Sequence, residues 1–443
     1  MQPGLVRGLG LFAAMSINIA NIIGTGVFLK ARVMTCNVET PWAVLATWVA
    51  AGLLVTAGAL CFAELGAMMP RAGGEFVFLT EAYGPRAGFL YGWSYTLIGR
   101  SASLAAQAVS SAIFLNIVMD GFLERHSLLQ VAALVALAAA TAVNCLSVAT
   151  VGRLATSLTV VKSIIVAAVG IAVFLFARGD LGHMAMSGAA GTCAGVDASA
   201  RGGIGGWSAA MLGALWGFHG WANLAPMVGE VRDPQRNIPR AFLGAVAVVG
   251  TLYLLANASY FWALTPEEVA SVPLSSSVAT EAIRKFLGPA ATSLIAMGML
   301  ISSLGALQAG AASGARVPYA MARDGKFFGV FGRVTSNNAP ANSAILVGCW
   351  SGVLAMSGNY DKLTDWAIFG NWLFFALSVA SLFVFRRRTS LCKLNPLVPA
   401  VFLLVTLFLL VNTLLTSPVS SLIGLGMIAL GLPFYEYWSR KNV

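Results

Sequence analysis

The sequence is poor in charge. Only 10% of its 443 residues are Asp, Glu, Lys or Arg, against roughly 25% in an average soluble protein. A water-soluble chain of this length could not cover its surface with so few, so a soluble enzyme and a disordered protein are both excluded. Cysteine is equally uninformative as a framework. The six (Cys36, Cys61, Cys145, Cys193, Cys349 and Cys392) are scattered, which excludes a disulfide-built scaffold and reads as small apolar residues in helix contacts. The sequence leaves a Cys36–Cys193 bridge open. Three histidines in the chain and no His/Cys/Asp/Glu cluster at ligand spacing leave no metal site to expect. No nucleophile stands beside a base and no ring-forming filter motif appears, which argues against an enzyme and a channel. No cofactor is expected.

What is present is apolar length. Apolar residues make up 58% of the chain and mean hydropathy is +0.81, so the solvent for most of the surface is the lipid bilayer. Twelve runs stand out, at 9–29, 42–67, 87–119, 128–146, 154–177, 207–229, 241–264, 287–315, 344–356, 366–385, 397–415 and 419–437. Each is read as a helix, the first as a retained helix rather than a signal peptide. Pro and polar clusters separate them, notably Asp233-Pro234-Gln235-Arg236-Asn237-Ile238-Pro239. The expected fold is an all-α polytopic membrane protein of about twelve spanning helices.

The net charge of +10 follows topology, not nucleic acid. With the N-terminus inside, the cytoplasmic segments hold 17 of the 27 Lys and Arg and the outer segments 8. Arg100 and Lys162 remain, inside helices. This bias favours an even helix count with both termini cytoplasmic.

Two runs are interrupted by small residues. The first reads Asn21-Ile22-Ile23-Gly24-Thr25-Gly26 and the sixth Trp216-Gly217-Phe218-His219-Gly220. They hold corresponding positions if the first ten helices form two halves of five, and paired breaks of this kind point to a transporter's binding site. Unwinding frees amides at the start of one half-helix and carbonyls at the end of the other. The amides favour a carboxylate and the carbonyls an ammonium group, so a zwitterionic α-amino acid fits both. Close helix packing at the glycines is the competing reading.

At these residues the chain resembles a family. Gly24-Thr25-Gly26-Val27-Phe28, Cys61-Phe62-Ala63-Glu64-Leu65-Gly66, Pro70-Arg71-Ala72-Gly73-Gly74-Glu75-Phe76, Gly220-Trp221-Ala222-Asn223-Leu224, the stretch from Glu230 to Arg240 and Ala322-Arg323-Asp324-Gly325 resemble the amino acid–polyamine–organocation superfamily, in its L-type amino acid transporter branch. The resemblance implies a five-plus-five inverted repeat with helices 1 and 6 broken and two C-terminal helices added. Its parts would be residues 1–178, 179–390 and 391–443. It implies a substrate site at Ile22, Gly24, Thr25, Gly26, Trp216, Gly217, His219 and Asn371, the last beside Trp372. The carboxylate would lie on Thr25 and Gly26 and the ammonium on the carbonyls of Ile22, Trp216 and His219. Trp216 would be the gate.

An intramembrane charge is a functional expectation by default. Lys162 lies eight residues into the fifth run, about 12 Å deep. The resemblance matches it to a lysine in the place of a sodium ion, partnered by Ser302 or Ser303 and the first helix's carbonyls. It thereby implies a sodium-independent carrier of neutral L-amino acids, an exchanger or proton-linked. A polyamine or other amine carrier of the same fold is the alternative, disfavoured because the broken helices lack acidic residues. His219, where related carriers often have Gly or an acid, is read as a neutral donor and acceptor or as a core histidine. Arg100 and Glu64 are read as structurally paired, with proton carriage by Glu64 left open. The loop Asp120-Gly121-Phe122-Leu123-Glu124-Arg125-His126 has no cysteine, whereas the animal branch has one there. No disulfide-linked heavy chain is expected, and a stand-alone carrier of a prokaryotic inner membrane is.

Overall fold

The computed structural model describes residues 5–24, 26–146, 148–273, 276–288, 290–356, 360–388, 393–416 and 418–441. Thr25 and Cys392, both named above, lie outside them. The chain is all-helical. Among the described residues the only β pairing is an isolated parallel bridge between Leu9 and Val231.

The first half runs α1 (Leu11–Ile22), α2 (Gly26–Val38), α3 (Pro41–Met68), α4 (Glu75–Tyr83), α5 (Pro85–Ser94), a π-turn segment Tyr95–Gly99, α6 (Arg100–Val118), α7 (Phe122–Arg125), α8 (Leu129–Asn144) and α9 (Val148–Phe176). The second runs α10 (Gly203–Gly217), a 3-10 turn Ala225–Glu230, α11 (Pro234–Ala263), α12 (Pro266–Ala270), α13 (Val278–Leu287), α14 (Ala290–Gly314), α15 (Arg316–Arg323), α16 (Ala341–Ala355) and α17 (Tyr360–Arg388). Last come α18 (Leu397–Thr416), α19 (Pro418–Ala429) and α20 (Gly431–Lys441).

Among the described residues, five stretches are long and apolar enough to cross a membrane: Pro41–Met68, Pro85–Val118, Ala149–Phe176, Pro234–Ala263 and Ala290–Arg323. The first and sixth apolar runs yield shorter helices because the chain unwinds inside them. Local chemistry sets many of the boundaries. Pro41 follows Thr40, whose side chain accepts the Ala43 N–H. Pro266 follows Thr265 in a reciprocal capping box with Glu268. The Asp233–Pro239 cluster, expected to separate runs, instead opens α11. Pro234 sits at its first position, where no N–H is needed, and the ring of Pro239 is carried near the helix start.

Helices pack in a recurring pattern. α3 lies along α11, α6 along α14, α2 along α10 and α8 along α16. Near the middle, Trp48, Phe218 and Tyr253 meet edge to face or tilted, with centroids 5.1–5.9 Å apart. On one face, Cys36 and Cys193 are joined by a disulfide with Cα atoms 5.7 Å apart. The bridge that the sequence left open is therefore present, and these two cysteines are not simple packing residues.

Candidate substrate site between two broken helices

α1 stops at Ile22 and α2 restarts at Gly26. α10 stops at Gly217, and a run of turns leads to the segment Ala225–Glu230. The two breaks face each other. A Cβ on Gly26 would lie 2.9 Å from the Gly217 Cα. Gly220 has φ +103°, and a Cβ there would come within 2.3 Å of the Asn21 carbonyl oxygen. Only glycine serves at that turn.

Two side chains fix the breaks to one another. The Tyr253 hydroxyl reaches the carbonyls of Ile22 (3.1 Å) and Gly217 (2.9 Å), one on each break. Asn223 Nδ2 donates to Asn21 Oδ1 at 3.2 Å. Neither pair was predicted from the sequence. Their targets are largely backbone carbonyls, which leave no mark in a sequence, and Tyr253 sits within an ordinary apolar run.

A cavity of about 50 Å3 lies between the breaks. Ile22, Gly24, Gly26, Trp216, Gly217 and His219, all expected at the site, line it. A Cβ on Gly24 would meet nothing within 4 Å, so that position faces open space. The rings of Trp216 and His219 stack with centroids 5.2 Å apart. The opposite wall is polar and was not anticipated: Ser103, Gln107 and Ser110 of α6 line the cavity with Ser303 of α14. The Gln107 Oε1 is buried without a partner. Asn371 is not among the lining residues. Its Oδ1 packs over Gly99, 2.7 Å from where a Cβ would be, and Trp372 packs against Phe375 and Phe402.

Lys162 is fully buried. Its Nζ donates to the carbonyls of Ala20 (2.6 Å) and Ile23 (2.5 Å), the exposed end of α1. Ser302 donates to the carbonyls of Ile23 (3.3 Å) and Gly24 (3.2 Å). Lysine and serine thus meet on one carbonyl, that of Ile23. Ser303 points elsewhere, to Ser110, Ser111 and the Gln107 carbonyl at 2.8–2.9 Å. Adjacent residues on a helix are turned by about 100°, which is why only one of the pair reaches α1.

The two other intramembrane charges separate in role. The Arg100 Nε donates to the Tyr95 hydroxyl at 2.9 Å. Glu64 accepts the backbone N–H groups of Lys393 and Leu394, tying α3 to the segment before α18.

Broken helices around a shared cavity, with a buried lysine bound to the end of one break, define a helical secondary-transporter architecture. Residues 9–433 match the amino acid permease family, and the chain belongs to it. It is similar to the b(0,+)-type amino acid transporter 1 of Mus musculus, at 29% identity over 421 residues, 94% of this chain and 84% of that protein. The Oryctolagus cuniculus protein of the same name is 30% identical over 385 residues, 86% of this chain and 76% of that one. Large neutral amino acids transporter small subunit 2 of Homo sapiens is 29% identical over 450 residues, 99% and 82% of the respective chains.

Proposed function

We propose that this protein is a sodium-independent carrier of neutral L-amino acids working by alternating access, as an exchanger or with proton linkage. The observation that carries the reading is the convergence of both broken helices on one cavity, with the Lys162 ammonium held on the carbonyls of Ala20 and Ile23. A cation fixed there occupies the electronegative end of α1, so a sodium ion has no place to bind. Substrate carboxylate would sit at the start of α2, on Thr25 and Gly26. Substrate ammonium would sit on the carbonyls of Ile22, Trp216 and His219. The Ile22 carbonyl already accepts from Tyr253 and the Trp216 carbonyl from the His219 N–H, but each oxygen has a second lone pair. Trp216 would cover bound substrate from the outer side.

Among the described residues, the cavity is lined by no carboxylate, which disfavours the polyamine reading. The pairing of α2 with α10, α3 with α11, α6 with α14 and α8 with α16 supports two inverted halves, 1–178 and 179–390, followed by 391–443. The disulfide supports placing the 179–202 loop on the oxidising side of the membrane and both termini in the cytoplasm. One of the similar proteins, that of Homo sapiens, bears the name of a small subunit. This chain, with no cysteine in the 120–126 loop that follows α6, would act without a covalent partner in a prokaryotic inner membrane.

The test is uptake of a labelled amino-acid panel into proteoliposomes, with and without internal amino acid, and with sodium replaced by choline. Saturable uptake of neutral amino acids that does not need sodium is expected. Sodium-driven uptake, or uptake of polyamines alone, would overturn the reading.

A further inference from the structure

One buried acid has no part in the carrier reading. Glu75 opens α4, in the loop between two spans, and is 2% exposed. The hydroxyl of the fully buried Tyr91 lies beside its carboxyl, and Oε2 makes no hydrogen bond of good geometry. A polar path leads away from this pair. The Tyr91 and Tyr95 rings lie 5.3 Å apart, and the Tyr95 hydroxyl accepts from Arg100. Gly314 leaves room for that arginine, since a Cβ there would stand 2.8 Å from its Cγ.

The loop carrying Glu75 is seated against the lower part of the second broken segment. The Gly73 N–H donates to the Pro226 carbonyl at 3.0 Å. A Cβ on Gly74, which has φ +55°, would lie 2.7 Å from the Pro226 nitrogen, and one on Gly229 would lie 2.6 Å from the Ala72 nitrogen. This is backbone fitted to backbone. Any inward opening that moves 225–230 must part it from 71–75, and so change what surrounds Glu75.

We propose that Glu75 is a proton-binding site coupled to this inner closure: protonated while the 71–75 loop is seated on 225–230, and releasing its proton to water when the two part. An ionised carboxylate buried with one oxygen so poorly satisfied is strongly disfavoured, whereas the neutral acid is not. Burial pushes the Glu75 carboxyl up to about 7, although its own backbone amide, Tyr91 and Arg100 each pull it down. Tyr95 also faces it electrostatically. Acid would then favour the closed inner side and alkali its opening. The inference rests on the carrier reading and adds a site to it.

Two measurements test it. In proteoliposomes loaded with amino acid, wild-type exchange should change with internal pH, with a midpoint near about 7, and Glu75→Gln should lose that dependence while still exchanging. In purified protein, a carboxyl raised in the folded state stabilises it fully below about pH 4.5 and loses that contribution as pH rises through about 7. The wild-type Tm should fall over that window, and that of Glu75→Gln should not. If Glu75→Gln does not fold, Tyr91→Phe, which removes a hydroxyl that lowers the carboxyl, should move both wild-type transitions to higher pH. A flat wild-type profile, or one kept in Glu75→Gln or unmoved in Tyr91→Phe, overturns the proposal. If no amino acid is transported at all, the carrier reading fails, and the Tm series alone decides the proton site.

Discussion

Lys162 shows how far single residues could be read. Its depth in an apolar run marked it as functional, but its acceptors are backbone carbonyls of Ala20 and Ile23, which no residue type announces. Lys162→Ala should lose most transport, because the buried Ala20 carbonyl loses its ammonium donor and the Ile23 carbonyl is left with Ser302 alone. An unsatisfied buried acceptor costs about 1–3 kcal/mol, so a fall in Tm should accompany the lost uptake. Retained exchange in the folded variant would remove Lys162 from the mechanism. The two glycines of the first break differ in a way that the sequence could not show. A helical period assigns faces only where there is a helix, and the period ends at Ile22. In space, Gly24 faces emptiness and Gly26 faces the Gly217 backbone. Gly24→Val should therefore block substrate binding with little change in Tm, whereas Gly26→Val should lower both. Measuring equilibrium binding and thermal unfolding side by side separates them, and normal binding by Gly24→Val would show that the cavity is not the substrate site.

At the scale of elements, the breaks were legible and their fastening was not. Gly-interrupted segments at 21–26 and 216–220 stand out because glycine is costly inside a helix. Besides the Asn223–Asn21 bond, the cross-link between them is one tyrosine hydroxyl shared by the carbonyls of Ile22 and Gly217. Each such bond is worth roughly 0.5–1.5 kcal/mol net. Tyr253→Phe keeps the ring packed on Trp48 and Phe218 and removes only the donor. It should lower Tm modestly and weaken substrate binding, since the carbonyls of both breaks are freed to shift. An unchanged Tm and affinity would mean that the helices hold their register without it. The polar wall of α6 was illegible for a related reason: Ser103, Gln107 and Ser110 lie in a run whose apolar content marked it as membrane-spanning, and nothing in that pattern says which turn faces a cavity.

For the whole molecule, the two faces of the bundle are fastened by different chemistry. On the basic side, Leu9 pairs with Val231, and Arg316 of α15 grips Glu230 through two bonds of 2.7 and 2.9 Å, both residues fully buried. A third bond runs from Arg316 to the Ala312 carbonyl. On the other side, the loop 179–202 is bound to α2. The disulfide joins Cys36 to Cys193, Arg32 donates to the Ala194 carbonyl and Asn37 to that of Ala200. Breaking the buried pair from one partner leaves the other charge in a dry site, a loss of about 3–5 kcal/mol. Arg316→Met should therefore be far more destabilising than Arg71→Met, whose partner Glu81 is half exposed. Replacing both members, as in Arg316→Met with Glu230→Gln, should recover much of the Tm, because no lone charge remains. Recovery of stability without recovery of exchange would show that the pair serves the inner closure and not only the fold. A double variant no more stable than Arg316→Met would show that the cost lies in lost packing around the guanidinium, and that the charge pair contributes little.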